Sequence, residues 1–321
     1  MRASTLGIHP CYTAYPVYSG PHRLRLPAFS RLRPQTSGSI RREVSVMFDV
    51  LAFCENHTRW PASLGYAARL AASFESRLTG IYTCPIPSVM LSPYEMPRLM
   101  AEQIEALRQL EQQAIDAAPS FEAFAQAHGA TRASWQVAEE EVVRALQLAG
   151  CWHDVLVLGR TPHSPWGSAS SVGSIVLGTD MPCIVVPDDD ADATSLDCIA
   201  IAWNGSREAI GAVHAARHFL KRARKVTILH GQQRPPASLG PWRPPFDLTK
   251  YLADNGVASE SVLLSESADA ADDLLLEAAN KAKADLLVMG AYGHTRISEW
   301  IFGGATRGVL ENLNLPVFMR H

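Results

Sequence analysis

Glycines near the carboxyl end of the chain have the spacing of a loop that binds an anion. Gly290 closes an apolar run, Gly293 follows after two intervening residues, and Gly303 follows after nine more. A helical stretch begins directly afterwards, near Ala305. Glycines let backbone N–H groups approach phosphate oxygens closely, and a helix N-terminus adds unpaired N–H donors with partial positive charge. The spacing therefore predicts a phosphate-binding loop, with a tight turn made by Gly290 and Gly293 as the simpler alternative.

A second candidate stretch, at Ala202, Trp203 and Asn204, spans the end of an earlier apolar run and the polar residue that follows it. The Asn204 amide can donate and accept hydrogen bonds, but it brings no charge for a metal-bound phosphate. The indole of Trp203 could stack on an adenine base, and packing at the rim of the core is an equal alternative. This stretch is a candidate second wall of the same site.

The elements that position these residues occur twice in the chain. The segments Asp154–Gly159 and Asp285–Gly290 each contain an Asp, four apolar residues and a Gly. A helical stretch follows each segment, and then a strand containing a proline, at Met181–Val186 and at Leu315–Met319. Repetition at this distance indicates two copies of one structural unit.

Each unit alternates apolar runs with amphipathic stretches. The first runs are Asp49–Cys54 and Cys198–Trp203, and helices are expected at about 58–75 and 206–222, with a long one from Pro97 to His128. Near-continuous apolar runs are typical of parallel strands covered on both faces. The sequence predicts an α/β fold of two tandem, doubly wound parallel sheets, each five-stranded, with helices on both faces.

In such sheets ligands bind beyond the carboxyl ends of the strands, where the strand order reverses. The second unit is better equipped there than the first. Pro162 takes the place of the second glycine in the first unit and removes a backbone donor. Glu55, near the place of Asn204, would repel phosphate. Hydroxyls in the loop 165–171 could hold an anion, but we expect a degenerate pocket kept for structure.

From Met47 to His321 the sequence resembles the universal stress proteins. The family signature is Gly, any two residues, Gly, any nine, Gly, then Ser or Thr, and the glycines described above match its spacing. The family's strand end Val/Ala-x-Asp-Gly-Ser corresponds to Ala202–Ser206, and its closing strand with a proline corresponds to Leu315–Val317. The sequence departs from the signature at Gly304, where Ser or Thr is expected and Thr306 comes two positions later, and at Asn204, which replaces Asp.

The resemblance implies an adenine-nucleotide alpha-hydrolase-like fold and a cytoplasmic, stress-linked protein, with ATP or ADP bound in some members and in others not. It leaves Mg²⁺ open. It also implies pairing through the last strands, so Met181–Val186 is expected antiparallel to Leu315–Met319 within one chain, with homodimers and protein partners left open. The expected nucleotide contacts are Ala202, Trp203, Asn204, Met289, Gly290, Gly293, Gly303, Gly304, Ala305 and Thr306.

The expected domains are residues 47–189 and 197–321, joined by an acidic linker at 190–196. Residues 1–46 carry seven Arg, one acidic residue and no periodic pattern. They are expected to be a disordered extension, or an artefactual one if translation begins at Met47, with a transit peptide as the alternative. A net charge of −3 gives no general attraction to nucleic acid, and no apolar run approaches the roughly 20 residues of a membrane span.

Three functions are compatible with these patterns. The first is a regulatory protein that binds ATP or ADP in its second unit. The second is an interaction protein whose pockets are both vestigial. The third is a slow ATPase, which the sequence disfavours because it has no P-loop lysine, no ordered Ser-His-Asp set and no metal cluster.

Overall fold

The computed structural model describes residues 48–84, 97–162, 164–188, 195–231, 246–264, 271–292 and 304–321. The predicted extension at 1–46 and most of the predicted linker lie outside the described residues. The first half comprises β1 (Val50–Cys54), α1 (Ala62–Ser73), β2 (Leu78–Cys84), α2 (Pro97–Asp116), α3 (Ala118–Ala127), β3 (Ala133–Glu139), α4 (Val142–Gly150), β4 (Val155–Arg160), α5 (Ala169–Thr179) and β5 (Cys183–Pro187). The second half comprises β6 (Cys198–Trp203), α6 (Arg207–Ala215), α7 (Arg217–Leu220), β7 (Lys225–His230), α8 (Leu248–Asp254), β8 (Ser259–Leu263), α9 (Ala271–Lys281), β9 (Leu286–Gly290), α10 (Gly304–Glu311) and β10 (Val317–Arg320).

All ten strands form one sheet, in the order β3-β2-β1-β4-β5-β10-β9-β6-β7-β8. Within each half the pairs are parallel, and the order of the strands is the same in both halves. The halves meet where β5 and β10 pair antiparallel, with Phe318 opposite Ile184. The α/β fold class and the pairing of the last strands are thus confirmed, and the two expected sheets are continuous.

Helices cover both faces of the central strands, which are almost entirely apolar. In β1, alternate side chains enter two different cores, Val50 and Ala52 on one face and Leu51 and Phe53 on the other. This is the burial that a parallel sheet with helices on both faces requires. Among the described helices, none has both the length and the apolar character needed to cross a membrane.

An aromatic cluster joins the two halves on the face covered by α1 and α6. Phe219 meets Phe48 edge-on at 5.4 Å between ring centroids, and meets Phe74 in the same way. It also contacts Phe318 of β10 at 5.6 Å. Since Phe48 and Phe74 belong to the first half, the last strands are not the whole junction. The halves share a continuous core.

Two helices expected to be continuous are each divided in the structure. The long helix ends at Asp116 and α3 begins at Ala118, with Pro119 in the first turn of α3. Proline has no N–H to continue the preceding helix, and it is favoured where a new helix begins. The break directs the fully buried Phe121 against the sheet. The helix expected at 206–222 is also divided, at Ala216, where the sequence has no proline.

The repeated Asp of the two matching segments has a structural role. The Oδ2 atom of Asp154 accepts a hydrogen bond from the backbone N–H of Asp49 at 2.8 Å. The Oδ2 atom of Asp285 accepts one from the backbone N–H of Cys198, also at 2.8 Å. Each carboxylate therefore holds the entry of the half's first strand against its fourth. The sequence alone suggested no role for this residue.

Replacing Asp285 with Ala is expected to lower the free energy of unfolding by about 1–3 kcal/mol, because the partly buried N–H of Cys198 loses its acceptor. Asp154→Ala should have a similar effect. The exposed Asp254→Ala is the control, and its loss of an i,i+4 ion pair with Lys250 should cost less than about 0.5 kcal/mol. Urea denaturation measures all three, and equal stability of Asp285→Ala and Asp254→Ala would contradict the assigned role.

Candidate functional site

The strand order of the second half reverses between β6 and β9, and the predicted site residues follow the carboxyl ends of these strands. The structure places Ala202–Asn204 at the end of β6 beside Met289–Gly290 at the end of β9. Helix α10 begins at Gly304 on the same edge. The structure thus brings these three segments together. Gly293 and Gly303 lie outside the described residues, so their place in the site stays a prediction.

Gly290 is needed where helix α6 meets the end of β9. A Cβ atom at this position would lie 2.5 Å from the backbone N of Ala209 and 2.6 Å from the backbone carbon of Glu208. Real Cβ atoms essentially never come this close to backbone, so only glycine fits. The absent side chain lets the first turn of α6 lie directly against the strand end. The N-terminus of α6 is thereby fixed at the edge where a ligand would bind.

Asn204 and Ser206 shape the turn into α6. The Oδ1 atom of Asn204 accepts from the backbone N–H of Ser206 at 2.9 Å. Gly205 between them has φ +71°, a conformation that favours glycine. The hydroxyl of Ser206 accepts from the N–H of Ala209 at 3.1 Å, as expected of an N-cap. The Asn204 carbonyl oxygen is thus engaged in the turn, and its amide NH₂ remains the group suited to a ligand oxygen.

The first turn of α10 is tied to the loop that follows β9. The Thr306 side chain is 2% exposed, and its hydroxyl accepts a long hydrogen bond, 3.4 Å, from the backbone N–H of Tyr292. Ala305 is also buried. In the described structure, Thr306 therefore ties α10 to the loop as an acceptor, and its expected contact with a ligand stays a prediction. The backbone N–H groups at the start of α10 are the feature of this helix that would suit an anion.

The larger predicted side chains lie in the core. Trp203 is 8% exposed, and its ring contacts Phe246 at 5.8 Å between centroids. Met289 is buried on the opposite face of the sheet. On the surface of α10, Arg307 forms an exposed ion pair with Glu311 at 2.7 Å. The candidate site is therefore defined by backbone and helix ends.

Tyr292 is the residue that sequence reasoning missed. It follows β9 with φ +50°, and burial raises the pKa of its phenol, an effect that Arg307 partly offsets. The one sequence feature that could have drawn attention to Tyr292 is its position as a bulky residue between Gly290 and Gly293. Its contacts reach the first half of the chain and are described below.

The corresponding edge of the first half carries a carboxylate. Glu55 follows β1 and is half-buried, so burial raises its pKa, while a hydrogen bond from the backbone N–H of Trp166 opposes the change. The serine hydroxyls of the loop bond internally. Ser168 caps α5 through the N–H of Ser171, and the Ser171 hydroxyl donates to the carbonyl of Pro165 at 2.6 Å. These hydroxyls are engaged within the loop, and the degenerate pocket expected in this half stays a prediction.

One side chain at this edge is buried without partners. Both ring nitrogens of His57 lack a hydrogen bond, and the ring lies edge-on against Tyr82 at 5.0 Å. Within the described ranges, no three His, Cys, Asp or Glu side chains are placed to hold a metal ion.

Residues 197–321 match the Universal stress protein family (Usp). No curated protein matches the sequence. The fold is similar to the crystal structure of a universal stress protein from Archaeoglobus fulgidus, with TM-score 0.53, 15% identity, and 84% of this chain and 95% of that chain covered. It is also similar to a putative universal stress protein from Pseudomonas aeruginosa, with TM-score 0.51, 14% identity, and 86% and 94% covered.

Another similar structure, a functionally unknown protein from Pseudomonas aeruginosa, has TM-score 0.50 and 14% identity, with 86% of this chain and 93% of that chain covered. At these identities the likeness concerns the fold alone, and it extends over both halves. The β6–β10 half, with the site at the ends of β6 and β9, is the part that matches the family. Residues 197–321 are therefore a domain of the universal stress protein family.

Proposed function

We propose that the second half binds ATP or ADP at the carboxyl ends of β6 and β9, and that occupancy regulates a cytoplasmic, stress-linked interaction with other proteins. The first half, residues 47–189, would be a second universal stress protein domain whose pocket has degenerated, joined through 190–196 to the domain at 197–321. One observation carries the proposal: two helix N-termini, those of α6 and α10, begin at the strand-order reversal of the half that matches the family.

Electrostatics distinguish the two halves. Helices α6 and α10 lie on opposite faces of the sheet, and both direct their N-terminal amides toward one edge, which favours an anion. At the end of β6 the chain has the neutral Asn204, whereas the end of β1 has the half-buried carboxylate of Glu55. A nucleotide phosphate would meet no negative charge at Asn204, whereas the carboxylate of Glu55 would repel it. We therefore expect one nucleotide per chain.

A second candidate is an interaction protein with two vestigial pockets. It is favoured by the engagement of Asn204 and Thr306 with backbone N–H groups of the chain itself. An exposed apolar surface exists elsewhere, where the Trp152 side chain is 81% exposed and Leu148 is half exposed. In that case the exposed surfaces would carry the function, and the nucleotide site would be empty in solution.

Nucleotide released on denaturing the freshly purified protein distinguishes these candidates. Mass spectrometry should find close to one ATP or ADP per chain, and Gly303→Asp should abolish it, because an acid would stand directly before the first residue of α10. The matched control is Ser168→Asp, which places an acid directly before α5 in the first half and keeps a residue favoured at an N-cap. This variant should retain full occupancy.

The outcomes separate the two functions. Loss in Gly303→Asp with retention in Ser168→Asp supports binding in the second half. Loss in both variants, or in neither, contradicts that location. No nucleotide in the wild type, and no binding of added millimolar ATP, favours the interaction protein.

A further inference from the structure

The loop that follows β9 reaches across to the first half of the chain. A Cβ atom on Gly173 of α5 would lie 2.0 Å from the hydroxyl oxygen of Tyr292 and 3.1 Å from Cζ of its ring. The Tyr292 side chain therefore occupies the space that any other residue at position 173 would fill. Gly173 is buried within α5, where glycine is otherwise unfavourable. The close approach explains its presence there.

Tyr292 has a backbone conformation that needs support. Its φ of +50° lies in the left-handed region, which costs a non-glycine residue roughly 1–2 kcal/mol. Two contacts hold it in place: its N–H bonds the Thr306 hydroxyl of α10, and its ring lies on α5. Tyr292 thus links β9, α10 and the first half at the start of the loop that leads to α10.

A hydrogen bond from the first half holds the other end of α10. The Nε atom of Arg160, the last residue of β4, donates to the carbonyl of Leu310 at 2.6 Å. Its Nη1 atom also donates to the carbonyl of Gly167 at 3.1 Å, within the loop of the first half. Leu310 lies in the last turn of α10, where carbonyls lack partners within the helix. The start of α10 is therefore held by Tyr292, which contacts the first half, and its end is held by Arg160, which belongs to the first half.

We propose that Tyr292 is a positioning residue. The packing of its side chain against Gly173, called here the Tyr292–Gly173 contact, makes the ligand site of the second half dependent on the first half. This inference rests on the proposed nucleotide binding. The Tyr292–Gly173 contact fixes the backbone conformation at the start of the loop from Gly290 to α10, and it orients the N-terminus of α10 toward the ligand. The first half, whose own pocket is degenerate, then completes the site of its neighbour.

A substitution at Gly173, with a second substitution designed to rescue it, tests the Tyr292–Gly173 contact. Gly173→Ala displaces the Tyr292 hydroxyl, and we expect ATP to bind about tenfold more weakly in calorimetric titration. Adding Tyr292→Phe removes the atom at 2.0 Å and leaves the nearest ring atom at 3.1 Å. The double variant should bind within about threefold of wild type, as should Tyr292→Phe alone. Ser174→Ala, at the exposed neighbouring position of α5, is the control.

Hydrogen exchange provides a readout that needs no nucleotide. Amides at 286–292 and 304–310 should exchange faster in Gly173→Ala and return to the wild-type rate in the double variant. Faster exchange with unchanged ATP affinity, or unchanged exchange in Gly173→Ala, would overturn the inference and leave nucleotide binding intact. If wild type binds no ATP, the proposed function fails, and the role of Tyr292 in ligand binding fails with it. This holds whatever hydrogen exchange shows about the Tyr292–Gly173 contact.

Discussion

Replacing Gly290 with Ala is expected to lower the free energy of unfolding by about 3 kcal/mol or more, and to abolish nucleotide binding. The new Cβ would meet the backbone of Glu208 and Ala209 at 2.5–2.6 Å, and backbone cannot rotate away as the end of a side chain can. The first turn of α6 must therefore move off β9. Since this turn forms one wall of the proposed site, stability and binding are lost together. Urea denaturation and ATP titration measure the two effects.

Two other glycines give matched controls. Gly211 lies within α6 itself, but the nearest atom to its Cβ would be the Arg320 side chain at an ordinary 3.8 Å. Gly211→Ala should therefore be neutral, or stabilising by about 0.4–1 kcal/mol. Gly159 is the counterpart of Gly290 in the first half, where the nearest atom is the movable Ser63 hydroxyl at 2.9 Å. A Gly290→Ala variant no less stable than Gly159→Ala would refute the backbone contact.

Much of the architecture follows from local pattern. The apolar runs at Asp49–Cys54 and Cys198–Trp203 predicted parallel strands because a strand covered on both faces must be apolar throughout. The duplication predicted two units with the same strand order, which the sheet has. The pairing of the last strands followed from the family resemblance, and no periodicity in β5 or β10 would have indicated it.

The contacts that join the halves could not be predicted in this way. Tyr292 lies on Gly173, and Arg160 donates to Leu310, which is 150 residues away. Periodicity reports which face of an element is buried and does not report its neighbour. Even the division between α2 and α3, marked by Pro119, depends on where Phe121 enters the core.

Spacing indicated the edge of the sheet at which the candidate site lies, but it could not indicate the hydrogen bonds that its residues make within the chain. Asn204 and Thr306 were expected to contact nucleotide, and both lie at the predicted edge. Their oxygens accept hydrogen bonds from the N–H groups of Ser206 and Tyr292, and contact of these residues with nucleotide stays a prediction. A short polar side chain satisfies a backbone amide or a ligand equally well, and only the fold decides which is within reach. The glycines whose spacing first indicated the site await a direct test through Gly303→Asp.

The second large loss of stability is expected from a substitution at the junction of the two halves. Phe318 is 1% exposed, pairs with Ile184 across the antiparallel strands and contacts the Phe219 ring. Phe318→Ala would leave a cavity in the core that both halves share, so we expect the free energy of unfolding to fall by about 3–5 kcal/mol. Val262→Ala on the exposed edge strand β8 removes apolar atoms without a cavity, and should change stability by less than about 0.5 kcal/mol.

The manner of unfolding tests the continuity of the core more sharply than the magnitude does. If the ten strands form one cooperative unit, amides of β1 and β6 should lose protection from exchange at the same urea concentration, and Phe318→Ala should shift both equally. Separate transitions, with only β6 shifted, would show two domains that touch but fold alone. A cooperative result would also explain how one half can position a loop of the other, because displacing Tyr292 would then strain the core that both halves share.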